Sequence, residues 1–131
     1  MKLTLCGSAR FESVWHEANK QLGLAGHICY SLMTFPSIEG DKSWYTEEEK
    51  WMLDLAHFAK IEESNAVLIL NINNYLGESS FRELKWARMR NKSIYWLVPS
   101  EGKYDSQGKG EFLIHNFISD KAYKLILSKG N

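Results

Sequence analysis

A doubly wound α/β protein is what this 131-residue sequence predicts, and three observations carry the prediction. Short, β-branched apolar runs recur along the chain, the clearest being Ala66-Val67-Leu68-Ile69-Leu70. Between them lie segments whose apolar residues repeat at helical spacing. The junctions between the two kinds of segment carry Gly, Ser or Asn, which suit tight turns and helix starts. Strands alternating with helices form βαβ units around a mainly parallel sheet. Right-handed crossovers leave few topologies, and the order predicted here is 2-1-3-4 in a flavodoxin/Rossmann-like three-layer sandwich. The length fits one domain over residues 1–131.

Lys2-Leu3-Thr4-Leu5-Cys6 is the first strand, ending at Gly7-Ser8-Ala9-Arg10. Phe11, Val14, Trp15, Ala18 and Leu22 then repeat at helical spacing, with Gly23 and Gly26 as stops. His27-Ile28-Cys29-Tyr30-Ser31-Leu32 is a second strand. Residues 33–45, with Pro36, Gly40, Asp41, Trp44 and Tyr45, form a loop longer than most connections, as expected of a lid or a binding loop. Thr46 and Glu49 are spaced as a capping box for a helix carrying Leu53, Ala56, Phe58 and Ile61 and ending near Ser64. After the strand at 66–70 a polar loop runs from Asn71 to Glu78. Ser79-Ser80-Phe81-Arg82-Glu83 then opens a helix continued by Leu84, Trp86 and Ala87. Ser93 to Val98 is a fourth strand stopped by Pro99, and the glycine-rich residues 100–110 read as a mobile surface loop. Phe112-Leu113-Ile114 fits a short edge strand or part of a helix equally. Ser119 or Asp120 caps a last helix through Ala122, Leu125 and Ile126.

Sixteen basic residues balance sixteen acidic ones, and no basic run offers a footprint for a nucleic-acid polymer. A small nucleotide stays compatible, because one arginine and one helix end can hold one phosphate. Cys6 and Cys29 lie in apolar runs and read as reduced core cysteines. No CxxC and no Cys/His cluster is visible in the sequence, so no metal is expected. No apolar run approaches ~18 residues and the N-terminus runs directly into a strand, which predicts a soluble, cytoplasmic protein without a membrane partner.

The predicted strand order makes the first and third strands neighbours where the order reverses, and ligands of such sheets sit beyond the strands' carboxyl ends at that point. The two loops brought together there are Gly7 to Phe11 and Asn71 to Glu83. Gly7 permits a tight turn and close backbone approach, Ser8 offers a hydroxyl, and Arg10 a bidentate fork for an oxyanion. A helix cap with a solvated arginine explains the same residues. Gly77, Ser79 and Ser80 can likewise serve as anion ligands at the next helix start. Neither GxGxxG nor GxxxxGK[ST] is present, which speaks against a dinucleotide or a P-loop nucleotide. Glu83 has two readings. With Ser80 as N-cap it closes a capping box in the first turn. Projecting into the pocket instead, it is a carboxylate nucleophile or general base. Phe11, Trp44, Tyr45 and Tyr75 are aromatic candidates for stacking on a base, with helix packing as the competing reading for Phe11. Lys60 and Glu62 read as solvated helix residues, and Glu47-Glu48-Glu49 suits a helix N-terminus electrostatically.

Leu5-Cys6-Gly7-Ser8-Ala9-Arg10-Phe11, then Lys60-Ile61 ahead of Ala66 to Leu70, then Gly77-Glu78-Ser79-Ser80-Phe81-Arg82-Glu83-Leu84-Lys85-Trp86-Ala87, as a set over residues 3–98, resembles the nucleoside 2-deoxyribosyltransferase-like superfamily. That group includes nucleoside deoxyribosyltransferases and deoxynucleoside 5′-monophosphate N-glycosidases. The resemblance implies a glutamate at a helix start of the type E-x-G-x-A that attacks C1′ of the deoxyribose, releases the base and forms a glycosyl-enzyme. Glu83 matches that position, Ala87 is retained, and Lys85 replaces the glycine. Gly7-Ser8-x-Arg10 is similar to the phosphate-contacting turn of the N-glycosidases, so Ser8, Arg10, Ser79 and Ser80 would hold a 5′-phosphate. An aspartate that assists departure of the base falls at His57 here, with Asn65 in place of a later acid. A histidine can protonate a leaving base, its ordinary pKa being about 6.5, though His57 reads equally as an exposed helical residue. Asp54, one turn earlier, is a further candidate.

The expected activity is N-glycosidic bond cleavage or transfer on a nucleoside or its 5′-monophosphate, with Glu83 as nucleophile in the manner of retaining glycosidases. No cofactor is implied. The partner is a small nucleoside or nucleotide, and the resemblance implies a homodimer or higher homo-oligomer. The alternative is a non-catalytic nucleotide- or nucleotide-sugar-binding module on the same fold, with a protein-interaction domain as the blandest option.

Overall fold

The computed structural model describes residues 1–32, 35, 45–101, 104 and 111–130. Its elements are β1 (Lys2–Gly7), α1 (Glu12–Leu24), β2 (Ile28–Tyr30), α2 (Glu47–Glu63), β3 (Ala66–Leu70), α3 (Glu78–Met89), β4 (Ser93–Trp96), β5 (Glu111–Leu113) and α4 (Asp120–Ser128), with 3-10 turns at Ala9–Phe11, Ile72–Asn74 and Ile114–Asn116. The strands pair in parallel in the order β2-β1-β3-β4-β5. The predicted order 2-1-3-4 therefore holds, with β5 added outside β4. The undecided segment at 112–114 divides between β5 and the turn after it, so each reading describes part of it.

Alternation along the strands builds two apolar layers. Leu3, Leu5, Leu68, Leu70 and Leu97 face α1 and α4 and pack on Trp15, Ala18, Leu22 and Ile126. Cys6, Val67, Ile69, Ile94 and Trp96 face the other way, onto Ile61 of α2 and Leu84 and Ala87 of α3. All five residues of β3 are buried, as a strand covered on both faces requires.

The predicted capping box on α2 is present: Glu49 N donates to Thr46 Oγ1 at 3.0 Å and Thr46 N donates to Glu49 Oε1 at 2.9 Å. The end of α2 matches too, at Glu63 with Ser64 as C-cap. Several strand ends are shorter than periodicity suggests. β2 covers only Ile28–Tyr30, and β4 stops at Trp96. Beyond β4 a side chain replaces the ladder: Val98 N donates to Asn71 Oδ1 at 3.1 Å, and Asn71 Nδ2 donates to Val98 O at 2.9 Å. Lys60 is half-buried and donates to Ser31 O, so its reading as a solvated residue is corrected. Glu62 is exposed and pairs with Arg90. The lid or binding-loop reading of 33–45, including Trp44, lies outside the described residues apart from Phe35 and Tyr45, as does most of the loop at 100–110.

Candidate active site

The β1–α1 turn and the β3–α3 loop meet at the sheet's switch point, as the topology requires. Gly7 pairs with Leu70 in the β1–β3 register. A Cβ on Gly7 would lie 3.0 Å from Leu70 Cβ and 3.1 Å from Leu70 O, so glycine is needed for β1 to approach β3. The close approach expected of Gly7 is thus made to the neighbouring strand. Ser8 caps the following turn, its Oγ accepting from Arg10 N at 3.3 Å. Arg10 is exposed, and its guanidinium lies 4.5 Å from the centroid of the Tyr75 ring. Phe11 meets the same ring edge-on at 6.3 Å. Arg10, Phe11 and Tyr75 therefore join the two loops, and the cationic fork stacks on an aromatic face.

The helix carrying Glu83 starts earlier than predicted. Gly77 is the N-cap of α3 and Glu78 is the acid of its first turn. Ser80 lies inside the helix, so the capping box between Ser80 and Glu83 does not form, and Glu83 belongs to the second turn. Ser79 is exposed, with its Oγ accepting from Arg82 Nη2 at 3.2 Å, whereas Ser80 is buried. Ser80, Glu83, Leu84 and Ala87 are the buried residues of α3, the spacing of a core-facing stripe. Glu83 occupies an apolar position, and its side chain is only 9% exposed.

His57 reaches the same place from α2, where it and Ile61 are the buried residues one turn apart. Its side chain is 3% exposed, which removes the reading of His57 as an exposed helical residue. His57 Nε2 donates to Leu5 O at 2.9 Å and lies 3.7 Å from Glu83 Oε1. Cys6 Sγ is 3.8 Å from the same nitrogen. Trp15 closes the cluster, its ring centroid 6.4 Å from that of His57 and its Nε1 donating to Ser8 O at 3.0 Å. Asp54, the lower-ranked candidate on α2, faces Arg82 at 3.7 Å.

Burial opposes charge on every member of the cluster. It pushes the Glu83 carboxyl up to about 8, aided by the negative charge of Asp54 and opposed by the neighbouring Cys6 thiol and the charge of Arg82. It pulls His57 down to about 4, with the Lys60 charge in the same direction and the bond to Leu5 O against it. The Cys6 thiol is held well above its ordinary value by burial and then by Glu83. The 3.7 Å contact between His57 and Glu83 is accordingly a neutral pair near pH 7, with the proton on the carboxyl. His57 Nδ1 is buried with no hydrogen-bond partner, a lone pair able to accept a proton.

Cys6, His57 and Glu83 also place one donor atom each within 4.8 Å of one another, a spacing compatible with a single cation that the linear sequence did not reveal. Two features weigh against a cation. The Nε2 hydrogen is committed to Leu5 O, and both acids would have to surrender protons that burial favours. As built, the cluster holds protons. Cys6 and Cys29 are both free, as expected, and burial raises Cys29 to about 11. Cys6 and Trp15 were legible as core residues only; the alternation of β1, which turns Cys6 toward α2 and α3, was the available signal.

Parallel order, switch point and flanking helices define a doubly wound three-layer α/β fold. Among solved structures the chain is similar to the 2-deoxyribosyltransferase of the psychrotolerant bacterium Bacillus psychrosaccharolyticus, with a TM-score of 0.59 over 78% of this chain and 75% of that chain. Sequence identity between the two is 17%, so the likeness is one of fold. No protein-family model matches the sequence, and no curated protein does. Among the described residues no helix is long and apolar enough to cross a membrane.

Proposed function

We propose that this protein cleaves or transfers the N-glycosidic bond of a deoxynucleoside or its 5′-monophosphate, with Glu83 as the nucleophile. The observation that carries the reading is a carboxyl buried on the core stripe of α3, 3.7 Å from the His57 imidazole, at the switch point of this fold. The solved 2-deoxyribosyltransferase of similar fold supports the same chemistry.

In the proposed reaction Glu83 gives up its proton as it becomes the nucleophile, and the departing base is the acceptor of that proton; His57 faces the carboxyl through Nε2 at 3.7 Å, its hydrogen committed to Leu5 O. A carboxylate oxygen bonds to C1′ while the C1′–N bond breaks, and the electron pair leaves with the base. Water, or a second base, then attacks C1′, the C1′–O bond to Glu83 breaks, and the proton lost by the attacker returns the carboxyl to its acid form. Ser8, Arg10, Gly77, Ser79 and Ser80 are the proposed contacts for a 5′-phosphate, and Phe11 and Tyr75 for the base. The active form contains one proton shared by the pair. The rate kcat/KM is therefore expected to be flat between about 4 and about 8 and to fall on both sides. A rate still rising above pH 8 would mean that the Glu83 anion acts without that proton.

Incubation with deoxynucleosides and their monophosphates, with and without an acceptor base, followed by chromatography for free or exchanged base, tests the activity. Release that disappears in Glu83→Gln supports it. No release from any of them rejects it in favour of a binding module, which the near-complete burial of Glu83 also suits. In that case a deoxynucleotide raises the melting temperature without being consumed. We further infer self-association through α2, where Trp51, Met52 and Leu55 are exposed on adjacent turns. Sedimentation of Trp51→Lys against the parent protein checks it, with a shift to monomer expected.

A further inference from the structure

We infer that Asn74 and Tyr104 are positioning residues for Tyr75: the chain that follows β4 runs beside the β3–α3 loop, holds it by successive links, and fixes the Tyr75 ring against Arg10 and Phe11. The inference rests on the reading of Tyr75 as a contact for the base. At the first link the Asn71 side chain bonds to both backbone groups of Val98, at 2.9 and 3.1 Å. At the second, Asn74 Nδ2 donates to Glu101 O at 2.7 Å, while Asn74 Oδ1 accepts from Asn71 Nδ2 at 3.3 Å. At the third, the Tyr104 hydroxyl donates to Leu76 O at 3.1 Å. The links advance along both segments together, and the last two bracket Tyr75.

The backbone between the links needs that grip. Asn73 and Asn74 have φ of 54° and 53°, two successive left-handed residues of which neither is glycine. Such a conformation persists where its surroundings determine it, and here Asn74 N also donates to Asn71 O at 2.8 Å. Tyr75 is then extended, with φ −99° and ψ 131°, so its side chain and that of Leu76 point to opposite sides. Leu76 is buried in the layer that contains Tyr104. Tyr75 is thereby turned outward, its ring 4.5 Å from the Arg10 guanidinium and 6.3 Å from the Phe11 ring. Tyr104 is itself held: its ring meets Phe81 edge-on at 5.5 Å, and its carbonyl accepts from Arg88 Nη2 at 2.9 Å. Arg88 is in turn paired with Glu111 of β5. Releasing Asn74 or Tyr104 lets the extended stretch rotate and moves the ring from the face on which a base would stack.

The test uses Asn74→Asp, which keeps the size and the left-handed backbone but cannot donate to Glu101 O, and Tyr104→Phe, which keeps the ring on Phe81 without the hydroxyl. The readout is the ring-current shift that Tyr75 imposes on the Arg10 side chain in NMR spectra, assigned by its loss in Tyr75→Leu. Both variants are expected to lose most of that shift while still melting cooperatively. Their KM for the best-cleaved deoxynucleoside rises about three- to tenfold with kcat unchanged, since a base stacked on an aromatic ring gains about tenfold or more in binding. In the Tyr75→Leu background neither substitution raises KM further. A merely structural role would lower the melting temperature and leave the ring shift and KM at the parent values, and that result overturns the inference. Where one variant fails to fold, the other decides alone. Where neither folds, slow exchange of the Asn74 side-chain amide protons in the parent supports the grip and fast exchange overturns it. The ring shift is read without substrate, so its loss in the variants of a protein that releases no base leaves the positioning role standing and removes the chemistry.

Discussion

The two faces of the sheet are built from the same kinds of residue and differ in the polar groups they bury. Between the sheet and α1 and α4 the interior is mostly leucine, isoleucine, valine, alanine and aromatic side chains, and the Trp15 indole N–H is satisfied by Ser8 O. Between the sheet and α2 and α3 the apolar layer also holds the hydrogen-bonded Thr4 and Ser64 hydroxyls and, at the carboxyl end of β1, His57 and Glu83 against Cys6. The fold does not need that carboxyl. An apolar side chain at position 83 would satisfy the stripe formed by Ser80, Leu84 and Ala87, whereas a buried carboxyl must remain protonated or bear an unscreened charge.

Breaking that contrast most severely is Glu83→Gln, which keeps the shape and removes the nucleophile. Activity is expected to fall about a thousandfold or more, while thermal unfolding shows a melting temperature equal to or above the parent's. On the opposite face Leu68→Ala should do the reverse. A cavity beside Leu5 and Trp15 costs about 2–5 kcal/mol in a denaturant titration, with the pH limits of the activity that remains unmoved. Asn71→Ala is smaller, about 1–3 kcal/mol, because it leaves Val98 N–H and C=O without their side-chain partners.

A pH series of unfolding free energies sharpens the contrast further. Glu83, raised from 4.5 to about 8, holds its proton more tightly folded than unfolded, so its stabilisation is complete below 4.5 and is lost as pH rises to 8. His57, lowered from 6.5 to about 4, acts oppositely: its contribution is complete above 6.5 and is lost as pH falls to 4. The two slopes oppose each other between 4.5 and 6.5, and only the Glu83 slope remains from 6.5 to 8. Glu83→Gln should abolish the fall between 6.5 and 8 and leave a rise from 4 to 6.5. A parent protein and variant with parallel curves would show that Glu83 is not the buried acid described.

The architecture was legible because it rests on periodicity. The five apolar residues of β3 and the helical spacing of Val14, Trp15, Ala18 and Leu22 required only alternation and burial, and the capping box at Thr46 and Glu49 is a local motif. Helix starts were less legible, since Gly77, Ser79 and Ser80 are all acceptable caps and only packing selects the glycine. Glu83 was visible as a candidate, but its stripe was obscured by its own charge: Ser80, Glu83, Leu84 and Ala87 reads as amphipathic only once a glutamate is allowed inside. The meeting of Cys6 with His57 depends on residues 51 apart in sequence and on which way β1 alternates, which no local pattern records.

The most direct measurement is mass spectrometry of the protein quenched in acid during turnover of a deoxynucleotide and digested. The account predicts a deoxyribosyl ester on the peptide containing Glu83, absent from the Glu83→Gln protein. Base release with the label on another residue, or with no label at steady state or in a rapid quench, would contradict it.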